Sequence, residues 1–308
     1  MLLALAGTLG SLAAAEGLAR HHDGALLFPD DGRRYATKGG AHGTNSLGFH
    51  ERELPLVPPP GVRSVVVLGD SMTWGTTTAE QAWPRVAETA LGANWRLVNL
   101  SHYGYDAEQS LATLQAFGWA YQPELVVFAS YVNDLVPTEL ITVGEPPLPA
   151  WVGLHGALPA GLRQWSSLAR LGEGLVRSFR FSEREAREPF KDVLIRMRDA
   201  STERGVALLV LGLGPHVLAE ADPVACEALA GGAGRCATAR RRLDDQAAIA
   251  GEAGVPFEPL IRALQPPPAG GWFPANPEDW EHPSPEGHAR IGKAAAELIR
   301  GLPRAGGR

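Results

Sequence analysis

Ser71, Asp279 and His282 are candidates for nucleophilic catalysis. Gly69-Asp70-Ser71 follows the aliphatic run 64–68, so a tight strand-to-helix turn would expose the serine hydroxyl. That hydroxyl is a poor nucleophile until a base removes its proton, and histidine is suited to the task. A carboxylate three residues before His282 could hold the imidazole in the productive tautomer. We predict Ser71 as nucleophile, His282 as base and Asp279 as the acid that orients the base.

Two smaller polar stretches could stabilise the oxyanion that such an attack creates. Gly104 follows the aliphatic run 96–100, and Asn133 follows the run 125–129. A glycine N–H and an asparagine amide are donors suited to a developing oxyanion. Each residue is common in loops and indicates little alone, but both follow strand-like runs, as Ser71 does.

Two other histidines lie near these stretches. His288 begins a helical pattern, where a structural or capping role is the preferred interpretation. His102 adjoins the glycine stretch and could line a pocket, but no carboxylate stands at a matching offset. An ordinary polar loop residue is therefore the favoured interpretation of His102.

Aromatic residues border all the polar stretches. They could line a cleft for a sugar ring or an acyl chain, or they could be packing residues. The predicted substrate-binding residues are Trp74, Tyr103, Tyr131 and Trp280, and Tyr105 lies in the same neighbourhood.

Strand-like runs and helical patterns alternate along the chain and would position these residues. Short aliphatic runs typical of buried strands lie at 64–68, 96–100, 125–129, 207–213 and 255–258. Helical patterns lie at about 82–91, 108–119, 189–204, 238–253 and 288–300. Continuous aliphatic strands separated by helices indicate an α/β fold with a parallel sheet covered on both faces. Ligands of such sheets bind outside the carboxyl ends of the strands, where the polar stretches would converge.

The chain divides into three predicted segments. Residues 1–22 form a hydrophobic N-terminal segment, 23–61 an extended surface segment rich in Gly and Pro, and 62–303 the α/β domain. An insertion at about 135–182 interrupts the alternation of strands and helices. Long insertions in compact domains are often functional, so this one is our candidate for setting specificity.

The first fifteen residues are almost wholly apolar. The run is shorter than the ~20 residues that span a bilayer, and it lacks the basic start of a strong signal peptide. A weak or truncated signal peptide, one end of a membrane anchor and a helix packed on the domain are all compatible with it. We expect an exported or membrane-anchored protein, with membrane association through this segment, rather than a cytoplasmic one.

Cys226 and Cys236 flank a glycine-rich stretch at 231–234. A short flexible loop between two cysteines fits a disulfide in an oxidising compartment, but spacing alone fits two unrelated thiols equally. Neither cysteine has metal-ligand spacing around it.

The charge and composition exclude some classes of function. The formal charge of −6, from 28 basic and 34 acidic residues, gives no electrostatic footprint for nucleic acid. Hydrophobic and charged contents of 45% and 20% are typical of a globular protein with a sizeable core. We expect a monomer that acts on a small-molecule or carbohydrate ester and needs no metal or organic cofactor.

Together the four polar stretches resemble the sequence blocks of the SGNH/GDSL hydrolase superfamily, in the same order, over about residues 62–302. Gly69-Asp70-Ser71 is similar to the nucleophile block, Gly104 to the glycine block, and the pair Asp279 and His282 to the terminal block. The asparagine block reads Tyr131-Val132-Asn133-Asp134, with a tyrosine where the family usually has glycine, but its side-chain donor is retained. The stretch 45–49 also resembles a segment upstream of the nucleophile in some exported or membrane-anchored members.

The resemblance implies a flavodoxin-like, three-layer α/β/α sandwich with an oxyanion hole formed by Ser71, Gly104 and Asn133. It implies a serine esterase that acts through a covalent acyl-enzyme, and we expect a short acyl chain on a carbohydrate or small metabolite. An O-acyltransferase acting on a cell-envelope polysaccharide and a non-catalytic envelope binding module stay open as alternatives. Related transferases tend to carry Asp and His one residue apart, whereas two residues separate Asp279 from His282, which favours hydrolysis.

Overall fold

A five-stranded parallel sheet forms the centre of the domain. The computed structural model describes residues 2–22, 26–27, 36–37, 39–40, 43–75, 77–135, 166, 168, 183–231, 234–266 and 279–302. The strands of the sheet are β1 (Arg63–Gly69), β2 (Trp95–Asn99), β3 (Leu125–Tyr131), β4 (Ala207–Leu213) and β5 (Phe257–Pro259). Their order, β2-β1-β3-β4-β5, is flavodoxin-like: β2 is added on one side of β1, and β3 to β5 are added on the other.

Eight α-helices accompany the sheet within the described residues. They are α1 (Leu2–His22), α2 (Ser71–Trp74), α3 (Trp83–Leu91), α4 (Ala107–Ala116), α5 (Glu183–Thr202), α6 (Pro223–Leu229), α7 (Arg235–Glu252) and α8 (Pro285–Gly301). A separate pair of two-residue antiparallel strands joins Leu26–Leu27 to Ala36–Thr37.

Alternate residues of each strand point to opposite faces of the sheet, so two cores form. Val65 and Val67 of β1 belong to the core that α3 and α8 cover. Val66 and Leu68 belong to the core that α4 and α5 cover. Burying such a side chain stabilises the fold by about 1.5–3 kcal/mol. The predicted three-layer α/β/α fold is therefore confirmed.

The predicted elements agree with the structure at most positions. The first four strands lie within two residues of their predicted bounds, and the fifth begins at Phe257 rather than 255. The last helix begins at Pro285, earlier than predicted, because the Ser284 hydroxyl accepts the N–H of Gly287 at 3.2 Å. Helix α5 begins at Glu183 and contains Pro189, which was predicted to start it, at the cost of one intrahelical hydrogen bond.

The predicted surface segment 23–61 contributes to the packed domain over part of its length. Asn45, Phe49, His50 and Glu51 are buried. The Asn45 side chain accepts the N–H groups of Leu47 and Phe49, each at 3.0 Å, and so fixes a tight turn. Phe49 packs edge-on against Phe117, with ring centroids 5.4 Å apart.

The N-terminal segment is helical, and no helix among the described residues is long and apolar enough to span a bilayer. The carboxylate of Glu16 accepts hydrogen bonds from the Ser166 hydroxyl at 2.8 Å and the Leu168 N–H at 3.1 Å. Helix α1 therefore contacts the predicted insertion 135–182, most of which lies outside the described residues.

Cys226 and Cys236 form a disulfide that joins α6 to α7. The sequence left this pairing open, and it did not predict helix α6. That helix begins at Pro223 after Asp222, whose side chain accepts the N–H groups of Val224 and Ala225.

Candidate active site

Ser71 stands at the first position of α2, directly after the carboxyl end of β1. Asp70 caps this short helix, because its Oδ1 accepts the Met72 N–H at 2.9 Å. The turn requires glycine at position 69, since a Cβ there would lie 2.7 Å from Thr73 Oγ1 and 2.9 Å from the Ala129 carbonyl oxygen. Close packing against β3 therefore fixes the direction in which the Ser71 side chain leaves the sheet.

The three predicted catalytic side chains form one continuous chain of hydrogen bonds. Ser71 Oγ lies 3.0 Å from Nε2 of His282. On the other side of the ring, Nδ1 of His282 lies 3.0 Å from Oδ2 and 3.2 Å from Oδ1 of Asp279. The side chains of His282 and Asp279 are 22% and 19% exposed, so a substrate has access to the pair.

The Asp279 carboxylate is oriented by its own loop. Its Oδ1 accepts the backbone N–H groups of Glu281 at 3.1 Å and His282 at 3.0 Å. Burial acts to raise the pKa of Asp279, but these N–H donors and the neighbouring His282 outweigh it and hold the pKa below its usual value. Asp279 is therefore ionised at neutral pH and can stabilise an imidazolium at His282.

The loop that carries this pair is also held from outside. The guanidinium of Arg235, the first residue of α7, lies 5.4 Å from the ring of Trp280. His216 donates to the main chain of the same loop. Ser284 caps the helix that follows.

Gly104 and Asn133 follow the two strands that lie on either side of the strand preceding Ser71. Gly104 follows β2 and Asn133 lies in the 3-10 turn Val132–Leu135 after β3, and both strands are direct neighbours of β1. Gly104 has a φ of +73°, a conformation that residues with a side chain rarely adopt. Since the carboxyl ends of parallel strands meet at one edge, these residues share an edge with Ser71. Their role in an oxyanion hole stays a prediction.

The predicted substrate-binding aromatics occupy two kinds of environment. Trp74 is 9% exposed and Tyr131 is 4% exposed, so nearly all of their surface packs inside the domain. Tyr103 and Trp280 are partly exposed; Tyr103 adjoins Gly104 after β2, and Trp280 lies between Asp279 and His282. Contact of any of the four with a substrate stays a prediction, and Tyr103 and Trp280 have more surface available for it.

Three histidines near the site are buried in structural positions. His288 accepts the Trp83 N–H at its Nδ1 (3.3 Å), and burial lowers its pKa to about 3. His102 stacks on Tyr105 and contacts Trp74, as expected of a residue outside the triad. His50 stacks on Trp74 and donates from its Nδ1 to the Trp74 carbonyl at 2.8 Å, which ties segment 43–51 to the end of α2.

Two further carboxyl groups, the buried Asp70 and the partly buried Asp134, lie near each other at the carboxyl edge of the sheet. Burial raises the pKa of Asp70 to about 7 and that of Asp134 well above its usual value. Asp134 accepts the Tyr131 N–H at 2.8 Å. Neither carboxyl belongs to the hydrogen-bonded chain of Ser71, His282 and Asp279.

A surface crevice of about 400 Å³ lies at the opposite, amino edge of the sheet. It contains none of the predicted site residues. Its lining comes from the start of β2, the end of α3 and the segment before β1 (Arg52, Leu54, Pro55, Pro59, Val62, Glu88, Thr89, Gly92, Ala93, Trp95 and Arg96).

His216 and His50 were not among the predicted site residues. His216 follows the predicted strand 207–213, so the rule that placed the other polar stretches at the carboxyl edge applied to it as well. His50 gave no such signal, because the segment around it has no periodicity.

Several solved structures are similar to this chain. A protein from Desulfitobacterium hafniense, described as lipolytic and of the G-D-S-L family, is 15% identical, with a TM-score of 0.47 over 76% of this chain and 98% of that one. A carbohydrate acetylesterase family member from Sinorhizobium meliloti is 18% identical, with a TM-score of 0.44 over 78% and 98%. The psychrotrophic esterase EstA from Pseudoalteromonas sp. is 13% identical, with a TM-score of 0.46 over 77% and 97%.

No protein-family model and no curated protein matches the sequence.

Proposed function

We propose that this protein is a serine ester hydrolase with Ser71 as nucleophile, His282 as general base and Asp279 as the carboxylate that orients it. The observation that carries the proposal is the unbroken hydrogen-bonded chain from Ser71 Oγ through the His282 ring to Asp279. This arrangement supplies a nucleophile, a base within hydrogen-bond reach and a third group that orients the base.

The reaction proceeds by acyl transfer in two steps. His282 Nε2 takes the proton of Ser71 as Oγ attacks the ester carbonyl carbon, and Asp279 stabilises the imidazolium that forms. The N–H groups of Ser71 and Gly104 and the Asn133 amide hold the oxyanion, and each such donor contributes about 3–4 kcal/mol in transition-state stabilisation. His282 then protonates the leaving alkoxide. A water molecule, activated by the same base, releases the acyl group from Ser71.

The proposed substrate is a short acyl ester on a carbohydrate or small metabolite. Two partly exposed aromatic side chains, Tyr103 next to Gly104 and Trp280 between Asp279 and His282, support a site with a ring-binding or chain-binding wall. O-acyl transfer to a polysaccharide is the second candidate, and the separation of Asp279 from His282 by two residues favours hydrolysis over it. We propose export or membrane attachment for the protein. The apolar N-terminal sequence and the Cys226–Cys236 disulfide support this location.

The test is turnover of p-nitrophenyl esters, from acetate to palmitate, by wild type and by Ser71→Ala. We expect the variant to lose at least about 10³-fold in kcat, because the acyl acceptor is gone. Ser201→Ala is the matched control, since Ser201 is a fully buried serine at the end of α5, outside the site. This control should keep wild-type turnover. The chain length with the highest kcat/KM separates a short-chain esterase from a lipase.

Fluorophosphonate labelling gives an independent readout. Wild type should be labelled at Ser71, as located by peptide mass spectrometry, and Ser71→Ala should not be labelled. Absence of both Ser71-dependent turnover and labelling would reject the hydrolase proposal. Wild type should then be assayed for acyl transfer to a polysaccharide acceptor and for carbohydrate binding.

A further inference from the structure

A histidine outside the triad holds the loop that carries Asp279 and His282. His216 begins the 3-10 turn His216–Ala219, three residues after the end of β4. Its backbone N–H donates to the Glu281 carbonyl at 3.0 Å, and its Nε2 lies 2.7 Å from the Asp279 carbonyl oxygen. One residue therefore binds the main chain of the loop on both sides of Trp280.

The direction of the side-chain hydrogen bond follows from its partner. A carbonyl oxygen only accepts, so the proton of this bond belongs to Nε2 of His216. The residue is 6% exposed, and burial lowers the pKa of His216, which favours the neutral ring at neutral pH. The Nε2–H group of His216 is thus a hydrogen-bond donor from the turn after β4 to the loop.

This donor acts on the geometry of the reacting groups. The main chain at 279–282 sets the direction of the Asp279 carboxylate, because Oδ1 accepts the N–H groups of Glu281 and His282. The same carboxylate sets the orientation of the His282 ring, and the ring reaches Ser71. A shift of the Asp279 main chain would therefore be transmitted to Ser71 Oγ.

We propose that His216 is a positioning residue that fixes the Asp279–His282 loop in its catalytic geometry through the bond from Nε2 to the Asp279 carbonyl. His216 does not touch the reacting atoms, and it acts through Asp279. The inference rests on the proposed hydrolase function.

Two substitutions separate the donor from the bulk of the side chain. His216→Leu keeps most of the bulk of the side chain and the backbone hydrogen bond to Glu281, but it removes the N–H donor to the Asp279 carbonyl. His216→Gln restores an N–H donor at a similar distance from Cα. Val193→Ala controls for lost stability, because Val193 is buried on α5, against the core that α4 covers, and takes no part in the site.

We expect His216→Leu to lower kcat on p-nitrophenyl acetate by about 10–100-fold with little change in KM, since small misplacements of catalytic groups have effects of this size. The rate of fluorophosphonate labelling at Ser71 should fall by a similar factor. His216→Gln should recover most of both losses, and Val193→Ala should lose stability without losing kcat.

A proton NMR spectrum gives a readout that needs no substrate. A proton shared between His282 Nδ1 and Asp279 resonates at low field, and its assignment can be checked with Asp279→Asn. We expect this signal in wild type, its loss in His216→Leu and its return in His216→Gln.

The proposal is overturned if His216→Leu keeps the low-field proton and the wild-type labelling rate. It is also overturned if Val193→Ala lowers kcat as much as His216→Leu does. If wild-type Ser71 neither turns over esters nor reacts with fluorophosphonate, the proposed function fails. The low-field proton would still decide whether His216 positions the pair.

Discussion

At the scale of single residues, neighbouring carboxyl groups in this site have opposite electrostatic environments. Asp279 receives two backbone N–H donors and the His282 ring, which keep it ionised. Asp70 is buried beside the nucleophile with Oδ1 bound to the Met72 N–H, and its Oδ2 has no hydrogen-bond partner among the described residues. The first carboxyl suits catalysis, whereas the second destabilises the fold when it ionises.

Asp70→Asn should therefore stabilise the protein at alkaline pH. The pKa of Asp70 rises from 3.8 to about 7 on folding, because burial disfavours the charged form. Between these values the unfolded chain has released the proton while the native state keeps it, so the free energy of unfolding falls as pH rises. The asparagine variant lacks this fall. The free energy of unfolding of Asp70→Asn should exceed that of wild type by near zero at pH 4 and by about 2–4 kcal/mol at pH 8, since one pKa unit corresponds to 1.36 kcal/mol.

Urea unfolding of both proteins between pH 4 and pH 9 measures this difference. Asp222→Asn is the control, because Asp222 caps α6 by the same type of bond but is exposed. It should show no comparable gain at high pH. A difference between Asp70→Asn and wild type that does not depend on pH would mean that Asp70 is ionised in the native protein.

At the scale of elements, the edge strand β2 is protected by two glutamates. Glu88 accepts the outward N–H of Leu97 at 2.7 Å, and Glu51 accepts that of Asn99 at 3.1 Å. Arg85 donates to both carboxylates and joins them. An exposed strand edge invites pairing with another chain, and here side chains occupy its donors instead.

Arg85→Leu should destabilise the protein by about 3–5 kcal/mol at pH 8, because the buried Glu51 carboxylate loses its cation, whereas Glu88 keeps its ion pair with Arg52. Burial raises the pKa of Glu51 to about 7, so the loss should be smaller at pH 5, where this group is protonated, than at pH 8. Arg187→Leu breaks a more exposed ion pair with Glu252, which solvent screens, and should destabilise the protein much less than Arg85→Leu. Equal effects of the two substitutions in urea unfolding would contradict this account of the edge.

The elements also mark the limit of what the sequence predicts. Continuous aliphatic runs such as 125–129 predict buried strands directly, and the rule for parallel sheets brings Ser71 to the edge where the site lies. Arg85 binds both Glu88 and Glu51, and Glu51 lies more than thirty positions earlier, in a segment whose sequence has no periodicity. Sequence patterns report local repeats, so contacts of this kind emerge only from the folded chain.

The same limit applies within the site. Asp279 and His282 were predictable because a short offset lets a carboxylate turn back to an imidazole in its own loop. The burial of Trp74 between His50 and His102 was not predictable, because it depends on three separate segments meeting at the end of α2.

At the scale of the whole molecule, the disulfide connects the stability of the fold, the candidate site and the proposed export. Cys226 lies on α6 with its Sγ 3.3 Å from the Val217 carbonyl oxygen, and Val217 follows His216. Cys236 follows Arg235, whose guanidinium lies over the Trp280 ring. The two cysteines are 10 residues apart in sequence. Closing a loop of this length in the unfolded chain stabilises a protein by about 2–3 kcal/mol.

We expect the double variant Cys226→Ser/Cys236→Ser to lose about that free energy of unfolding, and dithiothreitol to lower wild-type stability by the same amount without affecting the variant. Thiol alkylation and mass spectrometry should find no free thiol in protein expressed in the bacterial periplasm. Two free thiols in that protein would contradict the disulfide. If the disulfide forms but wild type and the double variant unfold at the same urea concentration, the bond does not constrain the unfolded chain. In that case the fold would be equally stable in a reducing compartment, and the disulfide would no longer support export.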